Sequence, residues 1–124
     1  MSGDRRQRLG QVGETLAAEH LVRRGFRILE RNYRTRWGEL DIVAFGDGTL
    51  VFCEVKTRRV GPGGISPLDA VRPHKRVQVR RMAGSWLGER SGHPFAAVLR
   101  FDAIGVSFDL SGRLVSIEHL EAAF

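Results

Sequence analysis

A single cysteine, Cys53, stands among 124 residues. It cannot close a disulfide within the chain, so covalent stapling is excluded as a source of stability. Four histidines, His20, His74, His93 and His119, show no zinc-like spacing among themselves or with Cys53, which argues against a structural zinc site. No apolar run approaches the roughly 20 residues needed to cross a bilayer, so no membrane partner is expected. The first eight residues are polar and Arg-rich and lead into an amphipathic stretch, not into the apolar core of a secretory signal. The expected compartment is the cytoplasm. Lysine is also scarce: of 20 basic residues, only Lys56 and Lys75 are lysine.

What is present is arginine. The net charge of +6 and a sequence pI near 10.9 create a field that attracts polyanions, nucleic acid first. Arg23, Arg24, Arg27, Arg31, Arg34 and Arg36 fall close together with Tyr33 and Trp37 beside them, and Arg72, Lys75, Arg76, Arg80 and Arg81 form a second group. Phosphate contact and base stacking use these residue types. A solvated charged face weighs equally for either cluster alone. Arg34, Arg36, Arg58, Lys75 and Arg76 are the candidate nucleic-acid contacts.

The length suits one domain over 1–124, with 42% apolar residues to build its core. Leu9, Val12, Leu16 and Ala17 recur at helical spacing before Gly25, predicting a helix over 9–24. Residues 26–34 read as a strand. Two β-rich runs, 40–45 and 50–56, flank Asp47-Gly48, a strong hairpin signal. Residues 59–64 read as a loop. Ser66-Pro67-Leu68-Asp69 resembles a helix start, and Pro73 should divide a short turn from a longer helix reaching about Leu87. Residues 95–108 are strand-like, and 113–117 could return beside them. The order α, three strands, α, two strands predicts an α/β domain with helices flanking a central mixed β-sheet.

The chemistry concentrates in the hairpin. With Asp47-Gly48 as a two-residue turn, Gly46 pairs with Thr49, Val43 faces Phe52, Asp41 faces Glu54, and Glu39 faces Lys56. Alternation puts the last three pairs on one face and Cys53 on the other, where it should be inert core. Directly opposed carboxylates repel. A hard divalent cation, Mg²⁺ or Mn²⁺, would remove that conflict, and the Lys56 ammonium beside it could orient water or stabilise a transferring phosphate. A one-residue slip would separate the acids. Retention of lysine in so arginine-rich a chain suggests a task a guanidinium cannot perform.

The spacing G-E-x-D-(I/L)-(I/V), then E-V-K-x-R, resembles the YraN-type endonuclease family of bacteria, which is similar to archaeal Holliday junction resolvases of the PD-(D/E)-x-K nuclease superfamily. The likeness also covers Gly13-Glu14, Gly25, Asn32-Tyr33-Arg34, Val71 with Lys75, Arg100-Phe101-Asp102 and Ala123-Phe124. It implies a restriction-endonuclease-like fold, Asp41, Glu54 and Glu14 as metal ligands, the Val55 carbonyl as a further ligand, and Lys56 as the catalytic lysine. Leu40 stands where the superfamily motif carries proline.

Plainer readings compete at several positions. Glu14 lies at the margin of the buried helix face, where either a metal site or an arginine ion pair would account for it. Glu39 could form a cross-strand salt bridge with Lys56 and position it. Lys75 could run along apolar surface toward the site or simply snorkel, and Asp102 should pair with an arginine. The expectation is an Mg²⁺-dependent endonuclease acting on DNA, branched or structured DNA included. The alternatives are a non-catalytic nucleic-acid-binding module on the same fold, or the same chemistry on RNA. A homodimer is an open option.

Overall fold

The computed structural model describes residues 2–61, 64, 66–70 and 76–124. Helix α1 (Ser2–Arg23) is followed by strands β1 (Arg27–Thr35), β2 (Gly38–Gly46) and β3 (Thr49–Arg59), a 3₁₀ turn (Pro67–Ala70), helix α2 (Arg76–Glu89), and strands β4 (Val98–Phe108) and β5 (Leu114–Leu120). The sheet has the order β1-β2-β3-β4-β5. Only β3 and β4 run parallel; the other neighbours are antiparallel. The parallel pair requires a crossover, and α2 lies within it.

The two helices cover opposite faces. Ala17, Ala18 and Leu21 of α1 pack on Ile42, Ala44, Val51, Cys53, Ile104 and Val106. Val79, Met82, Ala83 and Trp86 of α2 pack on Tyr33, Leu40, Val43, Leu50, Phe52 and Phe101. Alternation along central strands thus fills two cores from one sheet. Cys53 is buried against α1, as its position in the period-two pattern requires.

The β2–β3 turn has positive φ at both central residues, 49° at Asp47 and 70° at Gly48, the backbone sign that a tight two-residue hairpin demands. The Gly48 carbonyl also accepts the amides of Ala97 and Val98, at 2.9 and 3.2 Å, which ties the start of β4 to that turn.

Several boundaries differ from the sequence reading. Helix α1 begins at Ser2, not Leu9, because Arg5, Arg6, Gln7 and Arg8 are good helix formers and no proline interrupts them; the apolar stripe starts later than the helix. Strand β4 begins at Val98, not Phe95, whose side chain is 89% exposed beyond Pro94. Strand β5 runs to Leu120, past the predicted end at Ile117, with Glu118 and His119 in its span. Ser66 does cap its turn, accepting the Leu68 amide at 3.2 Å, but the turn is a single stretch of 3₁₀ helix. The predicted break at Pro73 lies outside the described residues.

Among the described residues, no helix is long and apolar enough to cross a membrane.

Candidate metal and nucleic-acid site

The β2–β3 ladder follows the predicted register from Gly46↔Thr49 through Val43↔Phe52 and ends at Ile42↔Cys53. Strand β2 then stays with β1 as far as Gly38, while β3 stays with β4 through Arg59. A slit opens between the two pairs. Asp41 sits in it: its Oδ2 accepts the Val55 amide at 2.7 Å, so a side chain takes the place of a ladder bond. The predicted continuation, Asp41 facing Glu54 and Glu39 facing Lys56, is therefore not a backbone pairing. In a strand, the N–H and C=O of one residue point toward the same neighbour, so the Val55 carbonyl also faces the slit.

Local backbone irregularity shapes this region. Asn32 on β1 adopts φ 58°, and the strand faces change there. Arg31 reaches Glu14 and Thr15 of α1, at 3.7 and 3.3 Å, whereas Tyr33 turns to α2 and meets Ser85 at 2.8 Å. The neighbouring strand changes with it, since Ile42 belongs to the α1 core and Leu40 to the α2 core.

Three carboxylates converge on the slit. Glu14 from α1 and Glu39 and Asp41 from β2 offer oxygens that all lie within 4.8 Å of one another. The approach of α1 depends on Gly13: a Cβ there would collide with the Thr57 side chain of β3. The Asn32 carboxamide, with its nitrogen turned toward the acids, donates to Glu14 at 2.9 and 3.1 Å and to Glu39 at 2.7 Å. Arg34 pairs with Glu39 at 3.3 Å. By its place in the sequence Glu39 is a supporting residue; the fold puts it inside the acidic cluster.

Burial is the main reason the Asp41 carboxyl is pushed up to about 7, with the charges of Glu14, Glu39 and Glu54 adding to it and the Val55 amide opposing. Glu14 is raised as well, first by burial and then by Glu39, against the pull of Arg31. A buried carboxyl pushed up in this way beside other acids fits a hard divalent cation, which would supply the positive charge that the Asp41 proton otherwise supplies.

Glu54 and Lys56 take a different position from the one expected. Lys56 Nζ lies 3.0 Å from Glu54 Oε1, and Glu54 stands outside the three-carboxylate group, although its charge reaches Asp41. Glu54 lines a cavity of about 210 Å³ with Gly38, Glu39, Leu40 and the α2 residues Gln78, Val79 and Met82. Acids thus approach the slit from both sides of the sheet, with Glu39 shared between them.

Among the other candidates, Arg36 is exposed and lies over the Trp37 ring, 4.6 Å from its centroid. Arg58 and Arg76 are exposed. Lys75 lies outside the described residues. Tyr33 is buried, so it does not offer a face for base stacking, and Arg24, Arg31 and Arg34 of the first arginine cluster are ion-paired to carboxylates.

A separate polar chain lies near the carboxyl end. Asp102, fully buried, forms a two-pronged pair with Arg100 at 2.9 to 3.2 Å, the arginine partner expected from sequence. It also binds His119 Nε2 at 2.7 Å and accepts the Ala122 amide at 3.1 Å. His119 in turn meets His20 of α1 at 3.1 Å. Histidines 99 positions apart give no motif in sequence; only the packing of α1 against β5 joins them.

Residues 13–106 match the model described as "Uncharacterised protein family UPF0102". The chain belongs to the UPF0102 family. It is 48% identical over 118 residues to a UPF0102 protein of Parafrankia sp., covering 95% of this chain and 97% of the relative. A UPF0102 protein of Streptomyces griseus is 48% identical over 111 residues, covering 90% and 91%. One of Geobacter metallireducens is 45% identical over 116 residues, covering 94% and 91%. The YraN-type likeness read from the motifs is to this family, and the match contains Glu14, Glu39, Asp41, Glu54 and Lys56.

Proposed function

We propose that this UPF0102 protein is a metal-dependent endonuclease with a restriction-endonuclease-like fold, hydrolysing phosphodiester bonds in DNA, structured or branched DNA included. The observation that carries the reading is the convergence of Glu14, Glu39 and Asp41 within 4.8 Å at the opened β2–β3 slit. The E-V-K motif on the opposing strand adds to it.

In this reading Glu14, Glu39 and Asp41 supply the oxygen ligands, and the Val55 carbonyl faces the same slit. A bound Mg²⁺ or Mn²⁺ supplies charge for the phosphate oxygens and acidifies water at neutral pH. Asn32 holds Glu14 and Glu39 in register through its carboxamide nitrogen. Arg31 and Arg34 hold the outer flanks of the same acids. Lys56, kept beside the slit by Glu54, supplies an ammonium that can donate to a phosphate oxygen as charge develops there.

The ion pair of Lys56 with Glu54 also suits a second reading, a non-catalytic nucleic-acid-binding module. Substitution separates the two. In the nuclease, Asp41→Asn abolishes cleavage of a four-way junction or duplex in Mg²⁺ or Mn²⁺ while DNA binding in EDTA persists or tightens. Lys56→Ala lowers turnover far more than affinity. Cleavage that survives unchanged in the Asp41 variant removes this chain as the catalyst; a junction-binding protein with no cleavage under either metal leaves the binding module.

A further inference from the structure

The acidic site leaves out one concentrated region of positive charge. A cleft of about 830 Å³ lies between the start of α1 and the end of β3, lined by Arg5, Arg6, Leu9, Gly10, Arg58 and Arg59, with Thr57 between the two walls. Among the described residues, no carboxylate lines it. Five arginines elsewhere are ion-paired, Arg24 with Glu121, Arg31 with Glu14, Arg34 with Glu39, Arg90 with Glu30 and Arg100 with Asp102, whereas Arg23, Arg27, Arg36 and Arg113 stand singly on the surface. The four arginines of the cleft have no ion-pair partner among the described residues, and all four are exposed.

Two features show that helix stability does not account for the arrangement. Arg5 and Arg6 lie near the amino end of α1, where the helix dipole favours acids and disfavours guanidinium groups. Gly10 leaves the floor open, since a Cβ there would meet nothing within 4 Å, yet mid-helix glycine costs about 1 kcal/mol against alanine. Like charges are gathered and the space among them is kept clear.

The cleft adjoins the acidic slit along both of its walls. Arg6, Gly10 and Glu14 follow one another at i+4 on α1, one row of the helix surface. At 1.5 Å per residue, Arg6 and Glu14 are separated by roughly 12 Å along the axis. That is roughly three to four nucleotides of one duplex strand at 3.4 Å each. On the other wall, Arg58 follows Lys56 by two residues in β3. A strand with one phosphate at the slit would continue directly between the arginines.

We infer that the Arg5, Arg6, Arg58 and Arg59 cleft binds the phosphate backbone of the nucleic-acid strand whose reacting phosphate lies at Glu14, Glu39 and Asp41. The assignment of the strand's polyanion rests on the nuclease reading above. The cleft fixes the direction in which the substrate leaves the site: along the first turns of α1 and away from α2.

The test uses the full chain and a labelled duplex and single strand of the same sequence, with binding measured in EDTA across a salt series. Arg5→Gln/Arg6→Gln, Arg58→Gln/Arg59→Gln and the four-fold variant are compared with Arg23→Gln/Arg113→Gln, two exposed arginines outside the cleft. Circular dichroism confirms folding, and calorimetry with Mn²⁺ should show an unchanged metal site. On duplex, each phosphate that is no longer neutralised reduces the log-log salt slope by roughly 0.9, so the four-fold variant should give a slope shallower by roughly 3.6 while the control changes little. Equal slopes in the cleft variants and the control overturn the cleft. Cleft-dependent binding without metal-dependent cleavage retains the cleft and removes the nuclease reading; cleavage and binding indifferent to the cleft arginines do the reverse.

Discussion

At Asp41 a proton and the proposed metal ion would compete for the same oxygens. Its carboxyl is pushed up to about 7, chiefly by burial, from an unfolded value near 4. The folded chain therefore binds more protons than the unfolded chain across that interval. Stability must fall as pH rises through it. His20 works in the opposite sense, since burial lowers its imidazole and the charge of His119 and of Arg24 lowers it further; that contribution is lost as pH falls. Comparing wild type with Asp41→Asn cancels it. The stability of metal-free wild type relative to the variant should fall from about pH 4 to about 7, while the variant's own slope keeps the opposed contributions of Glu14 and His20. Saturating Mn²⁺ should reverse the wild-type trend, because the ion binds the deprotonated acids. Matching pH profiles for the two chains in thermal melts would show that Asp41 is not held in this state.

At the scale of elements, the site depends on how closely α1 rests on β3. Gly13 permits that contact, and Glu14 is the next residue. Gly13→Ala should gain helix propensity of about 1 kcal/mol but lose about 1–3 kcal/mol to overpacking against Thr57. The clearer effect should be on Mn²⁺ affinity, weakened as Glu14 is lifted from Asp41 and Glu39. Removing the obstructing atoms with Thr57→Ala should restore part of both, a coupling that a double-mutant cycle in calorimetry and melting would read. No coupling would mean that helix position is set elsewhere.

The hairpin shows what sequence can and cannot reveal at this scale. Asp47-Gly48 and the period-two pattern were enough to set the register through Val43↔Phe52, because a one-residue slip would exchange the side chains that serve the two cores. They could not reveal that Asp41 takes the Val55 amide and ends the ladder. Period-two counting assumes continued pairing, and it therefore placed Glu54 opposite Asp41. It also gave no warning of the positive φ at Asn32, where the faces change. Glu14 was legible as an acid on the margin of an apolar stripe, whereas the arginine cleft was not, since Arg5 and Arg58 meet only through packing of α1 along β3.

For the molecule as a whole, one central strand supports both cores. Phe52, 1% exposed, stacks with Phe101 at 5.5 Å and meets Trp86 edge-on at 5.8 Å, while its neighbours Val51 and Cys53 serve the α1 side. Phe52→Ala should cost about 3–5 kcal/mol, measured by urea unfolding. A loss under about 1 kcal/mol would mean that α2 can close over the cavity and is not fixed by this ring.

The parting of β2 from β3 leaves an edge inside the sheet. Edges expose backbone donors and acceptors that can recruit a foreign strand, and natural sheets guard them with charge and covering elements. Here the guards are Glu39, Asp41 and Glu54, with Glu14 brought over them by α1. The residues that would make the slit a reaction centre also make it a poor template for another β-strand. Neutralising them together would remove both the ligands proposed for a cation and the barrier to aggregation at the centre of the fold.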